Sequence, residues 1–236
     1  MSERSPLYDD PALARAYARV SAANVYNAAY ERPAMHEVLG DVHGLDVLDA
    51  GCAAGEHSAW LVAAGACVVA LDASAAMVGL ASERLGAAAR VLEADLAQPL
   101  ALPDAAFDVV LCSLTLHYLE DWHPPLREFR RVLRLGGRLV VSVHHPFVTL
   151  GMVGDYHAVQ RVDDAFSNYA EEPIPVRYYH RSLERIVADL RAGGFAISAL
   201  HEPRLQADAD VRDAELAARL RTQPWFLIVE AEAAAR

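Results

Sequence analysis

The chain contains no lysine: all 21 of its basic residues are arginine. This excludes Schiff-base chemistry, pyridoxal phosphate anchoring and a phosphate-binding loop that ends in lysine. Cysteine is also scarce. Cys52, Cys67 and Cys112 are odd in number and fall in or beside apolar runs, which predicts small core residues of a reduced, cytoplasmic protein, not a disulfide framework. No apolar run approaches the ~20 residues of a membrane-spanning helix, and the first residues do not read as a secretory leader, so neither insertion nor export is expected. Basic charge is short overall. A formal net charge of −11 argues against a broad surface for nucleic acid or anionic membrane. Arg127, Arg130, Arg131, Arg134 and Arg138 cluster in sequence and read as a solvated helix face.

What is present is apolar. Residues of that kind make up 54% of 236, enough for one domain of ordinary size with a buried core and too many for a disordered chain. The informative stretch is Leu45-Asp-Val-Leu-Asp-Ala-Gly-Cys-Ala-Ala-Gly55. An apolar run leads to Asp49, then to glycines at 51 and 55, then to an Ala/Leu-rich helical segment. That order predicts strand, tight loop and helix N-terminus, where backbone amides can meet a ligand's anionic end. A second apolar run ends at Asp72, an offset at which a carboxylate can bond both ribose hydroxyls. A dinucleotide fits poorly, because Ala53 and Glu56 stand where its loop wants glycines and Glu56 would repel a pyrophosphate. A zwitterion fits better, with its carboxylate on the amides of Gly51, Cys52, Ala53 and Gly55 and its amine towards Asp49. Those features favour S-adenosylmethionine.

The remaining chain alternates. Strands are predicted near 45–50, 67–72, 90–93, 107–112, 138–144, 195–201 and 225–232, and helices near 56–64, 75–86, 123–134, 181–192 and 209–221. This is an α/β pattern with a mainly parallel sheet and helices on both faces. Ligands collect at the carboxyl ends of such strands, where Asp49, Asp72, Asp95 and Ser113 all fall. Ahead of it, Asp10 and Pro11 open a helix expected to run to about Tyr30, and Pro33–Leu39 form a second. Between 146 and 180 the rhythm stops. Phe147, Tyr156, His157, Phe166, Tyr169, Tyr178 and Tyr179 gather there in a chain only 8% aromatic, so this stretch reads as an inserted substrate cap. The alternative is a dimerising arm, which would make the protein a homodimer.

Residues 45–143 resemble a class I S-adenosylmethionine-dependent methyltransferase of the small-molecule type. The loop matches that family's Asp-x-Gly-x-Gly-x-Gly pattern except that Ala53 replaces the middle glycine. Leu71-Asp-Ala-Ser-Ala-Ala-Met77 resembles the ribose-binding turn, Glu93-Ala-Asp-Leu96 the adenine-edge motif, and Arg131-Val-Leu-Arg-Leu-Gly-Gly-Arg138 the turn into the fifth strand. The resemblance implies a seven-stranded Rossmann-like sheet (residues 41–236) whose last strand lies antiparallel between its neighbours, a helical lid (residues 1–40) and a cap after the fifth strand. It further implies that Ala73 lines the ribose turn, that Met77 packs on the adenine face, and that Ala94, Asp95 and Leu96 surround the adenine. Tyr26 would close over the cofactor, with Ser113 beside it.

Methyl transfer from a sulfonium needs alignment first, and a base when the acceptor is an alcohol or phenol. His144 and His145 end the fifth strand, opening onto the cap, and His117 follows the fourth; these are the candidate bases. Tyr30, His117, Tyr169, Tyr179 and His180, the last at the start of a helix, are candidate acceptor contacts. Adjacent histidines on a strand point to opposite faces, so no metal site is expected. The expected partner is a small-molecule acceptor. Methylation of a tRNA base and a non-catalytic cofactor-binding protein are the alternatives, and a dehydrogenase comes last.

Overall fold

The computed structural model describes residues 5–234 apart from 168, 207, 208, 210 and 212. Two helices, α1 (Pro6–Asp9) and α2 (Pro11–Ala23), meet at Asp10, whose carboxylate caps α2 by accepting from the amides of Ala12 and Leu13. The single helix expected as far as Tyr30 is broken after Ala23. A π-turn, Asn27–Glu31, follows and leads into α3 (Arg32–Leu39). Then come β1 (Asp46–Ala50), α4 (Glu56–Ala63), β2 (Cys67–Asp72), α5 (Ala75–Leu85), β3 (Arg90–Glu93), β4 (Phe107–Ser113), α6 (His123–Val132) and β5 (Leu133–His144). The chain ends with α7 (Pro146–Thr149), β6 (Gln160–Phe166), β7 (Ile174–His180), α8 (Leu183–Ala192), β8 (Phe195–His201), α9 (Ala214–Thr222) and β9 (Phe226–Ala233).

Seven strands form one sheet in the order β3-β2-β1-β4-β5-β9-β8. β1 to β5 pair in parallel, and β9 runs antiparallel between β5 and β8. The strand order reverses between β1 and β4, which opens a crevice at their carboxyl ends. Side chains alternate across the sheet and build two cores. Leu48, Val110 and Leu139 face Leu126 and Phe129 of α6 and Ile186 of α8, whereas Val47, Leu111 and Val140 face Met35, Leu61 and Ala81. Each fully buried leucine contributes about 1.5–3 kcal/mol, so the frame behind the crevice is firm.

Five details differ from the sequence reading. β5 begins at Leu133, because Leu133 pairs with Phe107 before a register shift resumes at Val109 and Arg138. The 146–180 insert is not a loop but a short helix followed by an antiparallel hairpin, β6–β7, which forms its own two-stranded sheet. His180 therefore closes a strand; the next helix starts at Leu183 under a Ser182 cap. The arginine cluster is not a solvated face. Arg131 binds Glu128, Asp104 and the carbonyls of Leu100 and Leu102, Arg134 bridges Asp46 and Asp108, and Arg138 holds Glu230 and the Leu39 carbonyl. These bonds tie strand beginnings together at the end of the sheet opposite the crevice. Of the cysteines, Cys52 and Cys112 are buried but Cys67, first in its strand, is exposed. Among the described residues no helix is long and apolar enough to cross a membrane, and no group of three or more His, Cys, Asp or Glu could hold a metal ion.

Candidate active site

The crevice floor is set by backbone. The amides of Gly51 and Cys52 both donate to the Leu71 carbonyl, at 2.8 and 2.9 Å, folding the β1–α4 loop over the end of β2. Gly51 adopts φ +86°, and a Cβ there would lie 2.2 Å from Thr115 Oγ1, so only glycine fits. Ala53 takes a left-handed φ of 46°, the conformation for which related loops use glycine. Asp72 holds it there. One carboxylate oxygen accepts from the Ala53 amide and the other from the Ser74 amide, each at 2.9 Å. Ser74 caps α5 through the Met77 amide and donates to the Tyr8 carbonyl at 2.6 Å. Ala73 lies half-buried between these two anchors. Loop, ribose-side carboxylate and N-terminal helix are thus parts of one bonded unit.

The acidic groups divide by burial. Asp49 is 1% exposed and accepts from Ser58 Oγ at 2.5 Å. Burial raises its pKa against the pull of His57 and Ser58. Asp95 is exposed at the rim, accepts from the Ala97 amide, and follows Ala94, whose amide bonds the Asp72 carbonyl. Leu96 drops into the core. Met77 is fully buried against Ala14 and Ala54, so here it packs an N-terminal helix onto the loop instead of presenting an open face for adenine. A third buried carboxylate, Glu31, is 1% exposed. Burial pushes its pKa up, but His57 and the hydroxyls of Ser142 and Ser113 outweigh this and hold it below the usual carboxylate range.

The roof is aromatic. Tyr8 and Tyr17 lie edge to face at 5.1 Å over Ala53, Ala54 and Met77, and Tyr8 Oη meets Tyr118 Oη at 2.6 Å. Tyr169 packs on Tyr17 at 5.2 Å, and the hairpin's Val162, Ile174, Val176 and Tyr178 close on Leu7. Tyr26 and Tyr30 are not part of this roof. Tyr26 stacks on Trp225, and Tyr30 is buried against Phe226 with its hydroxyl accepting from the Trp225 amide, because the break at Asn24 turns the chain towards β9. The tyrosines over the loop are ones the sequence did not single out. Neither Tyr8 nor Tyr17 carries a local signal; only the hairpin's position reveals them.

The histidines have separate fates. His145 Nδ1 accepts from the Phe147 amide, capping α7, and Nε2 meets Glu202 at 3.1 Å, so both ring nitrogens are engaged. That removes it as a base. His180 is likewise occupied, with Nδ1 2.5 Å from Thr149 Oγ1 and Nε2 2.9 Å from the Tyr156 carbonyl. His117 and His144 stack at 4.1 Å with Tyr178 edge-on to both. Burial lowers the pKa of His117 far below its ordinary value and that of His144 to about 4. Both His117 nitrogens, His144 Nδ1 and Arg181 Nη1 are buried without a protein partner. They border a cavity of about 10 Å³, also lined by Tyr179, which is one water molecule's worth of space.

A glycine loop at the switch point, a carboxylate pinned at the end of β2 and antiparallel β9 define a class of α/β protein that binds a nucleoside cofactor at the carboxyl ends of its strands. This is the architecture of class I S-adenosylmethionine-dependent methyltransferases, and a methyltransferase-domain family model matches residues 48–141. The crystal structure of an S-adenosylmethionine-dependent methyltransferase from Mesorhizobium loti superimposes with a TM-score of 0.69 at 28% identity, covering 89% of this chain and all of that one. An uncharacterized protein of Haemophilus influenzae is 26% identical over 225 residues, 87% of this chain and 89% of its own length. A malonyl-[acyl-carrier protein] O-methyltransferase of Pectobacterium atrosepticum is 35% identical over 133 residues, 55% of this chain. The chain spans about half the length of that relative (52%).

Proposed function

We propose that the protein methylates a small-molecule acceptor held between the crevice floor and the tyrosine roof. The observation that carries this reading is the bonded unit of Gly51, Ala53, Asp72 and Ser74 lying directly beneath Tyr8 and Tyr17. In this reading residues 1–40 are a lid and residues 146–180 a substrate cap. S-adenosylmethionine, when bound, supplies an electrophilic methyl group on a sulfonium. The amides of Gly51, Cys52, Ala53 and Gly55 are taken up by Leu71, Asp72 and Cys52, so the 51–55 loop would border the methionine end through its shape and not through those donors, with Asp72 at the ribose and Asp95 with Ala94 at the adenine edge. Asp49 acts from behind the loop, through Ser58 and His57, instead of meeting the ammonium directly. Floor and roof bring methyl and acceptor into line and exclude water, and such alignment is where most of the rate would arise.

A proton leaving the acceptor would pass to His144 or His117, whose unpartnered nitrogens and neutral state leave a lone pair free. At about 4, His144 is a weak base, so its contribution is modest. The test is calorimetric titration with S-adenosylhomocysteine, run beside NAD and an Asp72→Ala variant. The variant should bind tenfold to a hundredfold more weakly, about the worth of a charge-assisted hydrogen bond. Heat from NAD and none from S-adenosylhomocysteine would sink the reading. An acceptor screen by S-adenosylhomocysteine release then separates enzyme from passive binder.

A further inference from the structure

Glu31 has no role in the chemistry above, yet three elements are built around it. Its Oε1 accepts from Ser142 Oγ at 2.5 Å and from Ser113 Oγ at 2.7 Å, and its Oε2 lies 3.4 Å from His57 Nε2. His57 Nε2 also reaches Ser113 Oγ at 3.1 Å. A single carboxylate from the N-terminal segment therefore joins β5, β4 and the first turn of α4. The chain of contacts continues to the floor. Ser142 Oγ accepts from the Leu114 amide at 3.0 Å, and Leu114 is a non-glycine residue at φ 45°. Such a conformation persists only where its surroundings hold it. The next residue, Thr115, bonds the Ser113 carbonyl at 2.7 Å and fills the space that a side chain at Gly51 would take.

We infer that Glu31 is a positioning residue for the cofactor: through Ser142 and Ser113 it fixes the strained Leu114–Thr115 turn that forms the wall opposite Gly51. This rests on reading the crevice as the S-adenosylmethionine site. Removing the carboxylate takes away the strong acceptor of both hydroxyls and leaves only the long Ser142–Ser113 contact at 3.5 Å and the His57–Ser113 contact at 3.1 Å, so the turn is freer to relax away from its positive φ. Cofactor affinity thus depends on a lid side chain that never touches the cofactor. The π-turn at 27–31 is the device that delivers it, since an extra residue in the turn rotates Glu31 inward.

The experiment is calorimetry with S-adenosylhomocysteine on the wild type, Glu31→Ala, Glu31→Gln, Ser142→Ala and Arg134→Ala. Glu31→Ala should bind at least tenfold more weakly. Glu31→Gln, which keeps an acceptor oxygen for both hydroxyls, should stay within about threefold of wild type. Ser142→Ala should lose three- to tenfold, and Arg134→Ala, which cuts two ion pairs at the opposite end of the sheet, should lose none. Wild-type affinity in Glu31→Ala, or in Ser142→Ala if the former does not fold, overturns the inference. If the wild type itself gives no heat, the cofactor reading has failed, and amide exchange at Leu114 in the ligand-free proteins decides this one. Faster exchange in Ser142→Ala supports it; an unchanged rate overturns it.

Discussion

The floor and the roof of the crevice are held by different means. The floor is made of main chain: amides of residues 51 to 53 bonded to Leu71 and Asp72, all within one strand–loop–helix–strand unit. The roof is made of side chains from distant segments, Tyr8, Tyr17, Tyr118, Tyr169 and Tyr178, touching through rings and hydroxyls. Main-chain geometry admits few substitutions and suits a ligand that never varies. Ring packing can be rearranged by single changes and suits a ligand that differs from one relative to the next. One scaffold thereby keeps its methyl donor while its acceptor drifts.

The contrast can be broken from either side. Gly51→Ala should abolish S-adenosylhomocysteine binding by calorimetry, a loss of a hundredfold or more, since its Cβ would collide with Thr115 while the roof stays intact. Acid should act beneath the roof instead, on the His117–His144 stack that meets Tyr178. Burial keeps the folded pKa values of His117 and His144 below the ordinary value, so between about pH 6.5 and 4 the unfolded chain binds protons that the folded one refuses. Stability is full above that window and falls as pH drops through it, by about 1.4 kcal/mol per pH unit for each histidine. Thermal melts across pH 7 to 5 should show the slope, and His144→Phe should roughly halve it, leaving the share of His117. His145→Ala, which removes the cap of α7, should cost about 1 kcal/mol in a denaturant melt and leave S-adenosylhomocysteine affinity unchanged. The smallest effect belongs to the floor. Ala53→Gly relieves a left-handed alanine against the entropy of an added glycine, a net gain of about 0.5–1 kcal/mol, seen as a Tm rise of about 2 °C.

The same division explains what could be read from the sequence. The floor is local, so strand period, glycine spacing and the offset of Asp72 were all visible in residues 45–72 before any coordinates. The parallel sheet followed from the alternation of apolar runs and amphipathic helices. Tyr26 and Tyr30 failed as roof residues because a helix break and a π-turn, neither signalled by glycine or proline, redirected them to Trp225 and Phe226. The hairpin at 160–180 was hidden because β6 places a charge, Asp164, on its inward face between Val162 and Phe166, where a period-two signal needs an apolar residue. His145 read as a base until its neighbours appeared. Glu31 was silent altogether: a lone glutamate in a helix looks like any solvated one, and its meaning lies in serines far along the chain.

That distance has a consequence for how the molecule is made. Glu31 lies 82 residues before Ser113 and 111 before Ser142. A ribosome releases the N-terminal helices well before the strands that accept them, and their carboxylate has nowhere dry to go until β5 has emerged. This segment, synthesised before the strands that accept it, therefore settles only after them, with roughly ten seconds of waiting at ordinary elongation rates. Leu7 and Tyr17 stay uncovered longer still, until the hairpin residues Val162 to Tyr178 that pack on them have followed β5.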